Sequence, residues 1–280
     1  MTGLPTRGPV SPRRVVALRP GRRLELPDEV VTEEPLEVRV AGPAGPSEPV
    51  AVTMRTPGHD FELAVGFLLS EGVVGDRSWI VAVRYCDLGP GAEQELNVVT
   101  VHLDRAVDLG ARRAVPVSAA CGVCGTTSLD QLARRCRPLG PADPFDPDVL
   151  LGLPEALRAH QRLFDRTGGL HAAGLFDRAG QPRAVREDVG RHNAVDKLLG
   201  WSVLGGTGAA RDAALVVSGR VSFEIVQKAA VLGTPVIVAV SAPSSLAVDT
   251  AEHLGICLLG FARGSSANVY SHPERVAVSR

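Results

Sequence analysis

Two cysteines three residues apart, in the run Cys121-Gly122-Val123-Cys124-Gly125, can do metal, redox or sulfur-transfer chemistry. The thiolate is the reactive form, and a helix start lowers a cysteine pKa through its dipole and unpaired N–H groups. Thr126-Thr127-Ser128-Leu129-Asp130 follows directly with residues that cap and begin a helix, expected to run to about Arg135. No acidic residue lies between Asp108 and Asp130, while Arg112 and Arg113 lie close by. Gly122 and Gly125 let the backbone swing and allow a bulky partner close approach. The setting favours a reactive sulfur.

A structural zinc site needs four ligands, and Cys86, Cys136 and Cys257 are unpaired with no matching histidine pair. The zinc deaminase signature also fails, because Ala120 replaces the proline before Cys121 and His59-Asp60-Phe61-Glu62 is one residue too long. No intrinsic metal is therefore expected. A thioredoxin-like dithiol expects its cysteine pair early in a chain, after a first strand, which does not fit residue 121. A persulfide carrier suits the glycine-flanked loop. On residue chemistry alone, the dithiol and the carrier both stay open.

A second group of residues lies at turns after three apolar runs. Ser218-Gly219-Arg220-Val221-Ser222 follows Ala213–Val217, Ser241-Ala242-Pro243-Ser244-Ser245 follows Pro235–Val240, and Phe261-Ala262-Arg263-Gly264-Ser265-Ser266 follows Ile256–Leu259. These runs are short, β-branched and without alternation, as in strands buried on both faces, and helical patterns separate them. Strand–helix–strand spacing of this size implies right-handed crossovers and a parallel sheet. All three turns then share one carboxyl-end edge, where serine hydroxyls, freed N–H groups and arginines suit an anion. Neither a P-loop nor a G-x-G-x-x-G motif is present, which disfavours an ordinary NTPase or dinucleotide enzyme.

The third group is Glu187-Asp188-Val189-Gly190-Arg191-His192-Asn193, running into a helix with Ala194, Val195, Leu198 and Leu199. It reads equally as a helix start with His192 pairing with Asp196, or as Arg191, His192 and Asn193 facing a ligand. His171, after Gly168-Gly169, reads as a buried, hydrogen-bonded histidine.

The elements holding these residues divide the chain. Leu36–Val40 and Val50–Met54 alternate around a Gly/Pro loop as a hairpin, and Pro57-Gly58 opens a helix that Gly72 ends. Strands Trp79–Tyr85 and Leu96–Leu103 complete a small antiparallel sheet with one helix on it. Residues 31–137 form this β-rich subdomain, ending in the cysteine loop, and 138–147 is a Pro-rich linker. A long helix from about Val149 to Phe164 begins the α/β/α domain, 148–280. Residues 1–30 carry six arginines and no acid before Glu25, and read as a flexible basic arm. Arg19, Pro20, Arg22 and Arg23 interrupt the apolar stretch that a twin-arginine export signal at Arg13-Arg14 would need.

Composition excludes several classes. Hydrophobic residues are 45% and charged residues 22% of 280, so the chain is neither disordered nor low-complexity. A net charge of −1 argues against a nucleic-acid binder, and no apolar run approaches the ~18–20 residues that span a membrane. Five scattered cysteines are no disulfide scaffold, so a cytoplasmic location is expected. Only Lys197 and Lys228 are lysine among 30 basic residues, a skew to which no function is attached.

Taken in order, the motifs resemble the FdhD/NarQ family of formate dehydrogenase accessory sulfurtransferases. They are Glu62-Leu-Ala-Val-Gly-Phe67 with Glu71-Gly72, Cys121-Gly-Val-Cys-Gly125, Glu187-Asp-Val-Gly-Arg-His192 with Asp196-Lys-Leu-Leu199, Ser218-Gly-Arg220, and Gly260-Phe261 through Val269-Tyr-Ser-His-Pro273. The resemblance spans residues 30 to 276 and implies a cytidine deaminase-like α/β/α C-terminal domain and a homodimer. It implies a relay of sulfur from a cysteine desulfurase to the molybdenum bis(molybdopterin guanine dinucleotide) cofactor, the bound substrate, of the formate dehydrogenase catalytic subunit. Cys121 would bear the persulfide and Cys124 would assist. Phe261, Ala262, Arg263, Gly264, Ser265 and Ser266 would bind the guanine-nucleotide part, joined at the same edge by Ser218, Gly219, Arg220 and His192. Arg263 is the only charged residue from Phe261 to Ser266, fewer than the family pattern carries.

Overall fold

A computed structural model describes residues 8–86, 96–109, 115–117 (backbone only), 138–205 and 210–278. Cys121, Cys124 and the helix expected after them lie outside the described residues.

The first described element corrects an expectation. Instead of a flexible arm, β1 (Val10–Arg19) and β2 (Arg22–Val31) form an antiparallel hairpin closed at Pro20-Gly21, with Gly21 at φ 73°. Continuous antiparallel pairing, from Val10 opposite Val31 to Arg19 opposite Arg22, carries it, and its base is tied down. The Ser11 and Thr32 hydroxyls lie 2.8 Å apart, and Arg166 grips Glu29 through two hydrogen bonds of 2.8 and 2.7 Å.

The second sheet holds β3 (Glu34–Ala41), β4 (Glu48–Arg55), β5 (Ile80–Tyr85), β6 (Val98–Leu103) and β7 (Val115–Val117), in the order β5-β6-β3-β4-β7. It is mixed, not antiparallel, because β6 pairs with β3 and β7 with β4 in parallel. Helix α1 (Asp60–Ser70) carries the chain from β4 to the far side before the β5–β6 hairpin brings it back against β3. Leu63, Ala64 and Leu68 of α1 close the core against Leu36, Val38, Val99 and Val101.

The larger sheet runs β13-β12-β11-β10-β8-β9. Its central β10 (Ala213–Val217), β11 (Val236–Ala239) and β12 (Cys257–Arg263) are parallel, as the unbroken apolar runs imply. Antiparallel β8 (His171–Asp177) and β9 (Pro182–Asp188) flank one side and β13 (Ser266–Ser271) the other. Successive side chains serve opposite faces. Ala214, Val216 and Val238 pack under α2 (Pro147–Arg158), while Leu215, Val217 and Ile237 pack under α4 (Arg191–Leu204), α5 (Phe223–Leu232) and α6 (Ser245–Leu254). The architecture is a mixed α/β protein with an α/β/α layer.

The expected helix from Val149 to Phe164 is two helices, α2 and the short α3 (Arg162–Thr167). The break has a local cause. Glu187 at the end of β9 accepts the Leu163 and Phe164 N–H groups at 2.9 and 2.8 Å and so starts a new helix. The β-rich part and the layer meet where α1 crosses α4. A Cβ on Gly66 would run into the Asp196 carbonyl, and one on Gly200 into the Glu62 carbonyl, so only glycine permits this approach.

Candidate functional site at the carboxyl edge of the parallel strands

Backbone hydrogen bonds stitch the three expected turns into one surface. Val221 donates to the Ala242 carbonyl at 3.1 Å, Ser244 to that of Val221 at 2.9 Å, and Phe261 to that of Ser241 at 3.2 Å. Two are strand-to-helix turns, leading into α5 and α6. The third is not. β12 continues through a bulge to Arg263 and folds back into β13 as a hairpin, with Gly264 at φ 54°. Antiparallel pairing with β13, Gly260 opposite Asn268 and Arg263 opposite Ser266, keeps the chain extended beyond the core strand.

Within that hairpin the side chains divide. Phe261, Arg263, Gly264, Ser265 and Ser266 are exposed, whereas the Ala262 side chain is 0% exposed in the core beneath α2. Phe261 sits at φ 54°, costly for a bulky residue, and is left 44% exposed at the edge. Arg263 Nε donates to the Val240 carbonyl at 3.2 Å, pinning the hairpin to the β11 turn.

The serines also separate. Ser218 Oγ accepts the Ala172 N–H at 2.9 Å and Ser244 Oγ accepts that of Ala247 at 3.2 Å, so both hydroxyls serve the frame. Gly219 lies beneath two side chains, for a Cβ there would be 3.3 Å from His171 Nδ1 and 3.7 Å from Arg191 Cδ. Arg220 is exposed.

The Glu187–Asn193 cluster is split between frame and site. Asp188 accepts from Thr56 and Gly190 N–H groups and from Asn193 Nδ2, and pairs with Lys197 at 2.8 Å. Asn193 also donates to the Met54 carbonyl at 2.8 Å, so it fastens α4 to β4 and does not face a ligand. Only Arg191 and His192 reach the edge. His192 does not pair with Asp196, which is taken by Lys228 at 2.7 Å and by the Ser70 hydroxyl at 2.9 Å. Its Nε2 instead lies 2.9 Å from Glu224 and 3.1 Å from Ser222 Oγ. Both partners share one nitrogen, so this is no nucleophile–base–acid relay.

Charge at the edge follows from burial and neighbours. Burial works against the Glu224 carboxylate, yet the His192 hydrogen bond and nearby cations outweigh it and hold its pKa below the usual range. His171 is half-buried and lacks the hydrogen bond expected of it among the described residues. Its pKa is lowered, first by burial and then by Arg191 and His192. Of these residues the sequence offers Ser222, in the turn after β10, but does not single out Glu224 or Lys228 as site residues. A carboxylate two residues after a serine helix start was the only local signal for Glu224.

Elsewhere, two clefts of about 350 and 520 Å³, both touching Leu139, Arg211 and Gly233, open at the amino ends of β10 and β11, opposite this edge. Among the described residues, no group of three or more His, Cys, Asp or Glu side chains could hold a metal ion, and no helix is long and apolar enough to cross a membrane.

The same architecture recurs in a solved structure from Desulfotalea psychrophila assigned as a formate dehydrogenase accessory protein. It aligns with a TM-score of 0.75 and 25% identity over 96% of this chain and 100% of that one. The fold therefore falls in the class of mixed α/β proteins that this accessory protein exemplifies. Residues 31–277 match the FdhD/NarQ family profile, and the chain belongs to that family. It is 48% identical over 270 residues to the sulfur carrier protein FdhD of Nocardia farcinica, covering 94% of each chain. The FdhD of Streptomyces avermitilis is 47% identical over 273 residues, 95% of each, and that of Anaeromyxobacter dehalogenans strain 2CP-1 is 48% identical over 264 residues, 90% of each.

Proposed function

We propose that this protein is a sulfur carrier that loads a cysteine persulfide and delivers its sulfur to the molybdenum bis(molybdopterin guanine dinucleotide) cofactor destined for formate dehydrogenase. The observation that carries the reading is its near-full-length likeness to relatives named as sulfur carriers. Cys121 and Cys124 supply the chemistry such a carrier needs. The Cys121 thiolate attacks the outer sulfur of a persulfide on a cysteine desulfurase; a new S–S bond forms and the desulfurase thiolate leaves, with no net oxidation. Attack by the Cys124 thiolate on the inner Cys121 sulfur then forms a Cys121–Cys124 disulfide and releases hydrosulfide to the metal. Cys121 and Cys124 together thereby provide the two electrons that turn sulfane sulfur into sulfide, and a cellular dithiol reduces the disulfide and resets the pair.

The carboxyl edge supplies a place for the substrate. The outward Phe261 ring offers a face on which a guanine base can stack, and Arg263 and Arg220 offer charge to its phosphates. Gly264, Ser265 and Ser266 present an open hairpin tip, with Ser218, Gly219 and His192 framing the neighbouring turn. The buried Ala262 side chain packs beneath the hairpin. The reading includes a cytoplasmic homodimer that meets both the desulfurase and the dehydrogenase subunit.

Complementation tests it. In a strain lacking its own accessory protein, the wild-type chain restores formate dehydrogenase activity and Cys121→Ala does not. Restoration by Cys121→Ala would instead indicate a cofactor-binding chaperone without sulfur chemistry.

A further inference from the structure

Arg191 at the head of α4 lies within electrostatic reach of Glu224, yet neither it nor Arg220, after β10, is ion-paired with a carboxylate among the described residues. Arg191 and Arg220 make no hydrogen bond or ion pair to any described residue, and Arg191 Nε is buried with no partner. Both lie close enough to His171 to depress its pKa, which places them on the same corner of the edge. The nearby carboxylates are committed: Asp188 to Lys197, and one Glu224 oxygen to His192. The other Glu224 oxygen, Oε1, is buried and unpaired.

Two helices also begin here, α4 at Gly190 and α5 at Ser222, and neither start has a side-chain cap. The Ser222 hydroxyl that would cap α5 is turned to His192 instead. Gly219 leaves the space in which the Arg191 chain and the His171 ring lie over the turn. A buried donor without an acceptor is costly, and natural proteins leave few of them. Uncapped helix starts with unpaired guanidiniums complete their hydrogen bonds on an anion rich in acceptor oxygens.

We propose that Arg191, assisted by Arg220 and the helix starts at Gly190 and Ser222, forms a binding site for a phosphate or diphosphate ester, with Glu224 Oε1 accepting a hydroxyl or N–H of the same ligand. This rests on the reading of the edge as a cofactor site and adds Arg191 as the residue that fixes the phosphate.

Calorimetric titration of the full chain with pyrophosphate tests it. Wild type binds, Arg191→Gln weakens binding at least tenfold, and Arg191→Lys regains only part, because an ammonium lacks the guanidinium fork. Arg220→Gln, changed at an exposed position that folding does not need, loses affinity as well. Arg211→Gln, on the opposite edge, binds as wild type. No binding by wild type, unchanged binding by Arg191→Gln, or an equal loss in Arg211→Gln overturns the site. Sulfur loading of Cys121 in wild type is measured in parallel. Its failure with pyrophosphate bound removes the relay and leaves the anion site; its success without pyrophosphate binding does the reverse.

Discussion

The Lys197 ammonium lies 2.8 Å from the Asp188 carboxylate, with side chains only 1% and 0% exposed. Lys228 makes the same kind of buried pair with Asp196 at 2.7 Å, so both lysines of the chain sit inside the protein on or against α4. Each pair also reaches the β-rich part: Lys197 donates to the Thr56 carbonyl at 3.0 Å, and Lys228 to Ser70 Oγ at 2.9 Å. The pairs therefore bind the β-rich part onto the layer that carries the edge.

Removing one partner strands a buried charge. Lys197→Met should lower unfolding free energy by about 3–5 kcal/mol, measured by urea denaturation. A loss within experimental error would show that Asp188 is satisfied by its N–H donors and Asn193 alone.

Helix propensity and packing oppose each other where α1 crosses α4. Alanine is better than glycine in a helix by about 1 kcal/mol, but overpacking costs about 1–3 kcal/mol and more where the obstacle is backbone. Gly66→Ala and Gly200→Ala should therefore destabilise, because each new methyl meets a carbonyl of the other helix. Gly152→Ala, on the open side of α2 with nothing within 4 Å, should stabilise by about 0.5–1 kcal/mol. Thermal unfolding of the three variants reads the contrast.

His171 makes the folded protein sensitive to acid. Burial, then Arg191 and His192, depress its folded pKa below 6.5, so the unfolded chain binds the proton more readily. Its contribution is fully present above the unfolded pKa and is lost as pH falls from about 6.5 through the folded value. Nuclear magnetic resonance should find this ring titrating below an ordinary histidine, and His171→Gln should flatten the pH dependence of stability in that window. A titration at or above 6.5 contradicts the packing of Arg191 beside it.

Much of the architecture was legible. The unbroken apolar runs of β10, β11 and β12 reported a sheet covered on both faces, and period-two alternation reported β3 and β4. What escaped depended on distant partners. Nothing local in Val149–Phe164 says that Glu187 will cap a new helix at Arg162, and nothing in β3 says that its neighbour will be a parallel β6. The β1–β2 hairpin is not legible because its two strands are arginine-rich, mostly exposed and held chiefly by each other. At the site, the sequence placed Ser218 to Arg220 and Phe261 to Ser266 on one edge. It could not separate Asn193, which fastens α4 to β4, from Arg191, which stands free. That difference lies in hydrogen bonds spanning 139 residues.

The central claim concerns sulfur on Cys121, and intact mass with peptide mapping tests it most directly. After incubation with a cysteine desulfurase and cysteine, the protein should gain one or more sulfur atoms on Cys121, reversibly with reductant. Cys121→Ala should gain none. Cys257 should stay unmodified, since burial pushes its thiol up to about 12 and away from reactive thiolate. An unchanged mass with an active desulfurase, or a Cys121–Cys124 disulfide formed without release of sulfide, would contradict the carrier account and leave a chaperone or a dithiol oxidoreductase in its place.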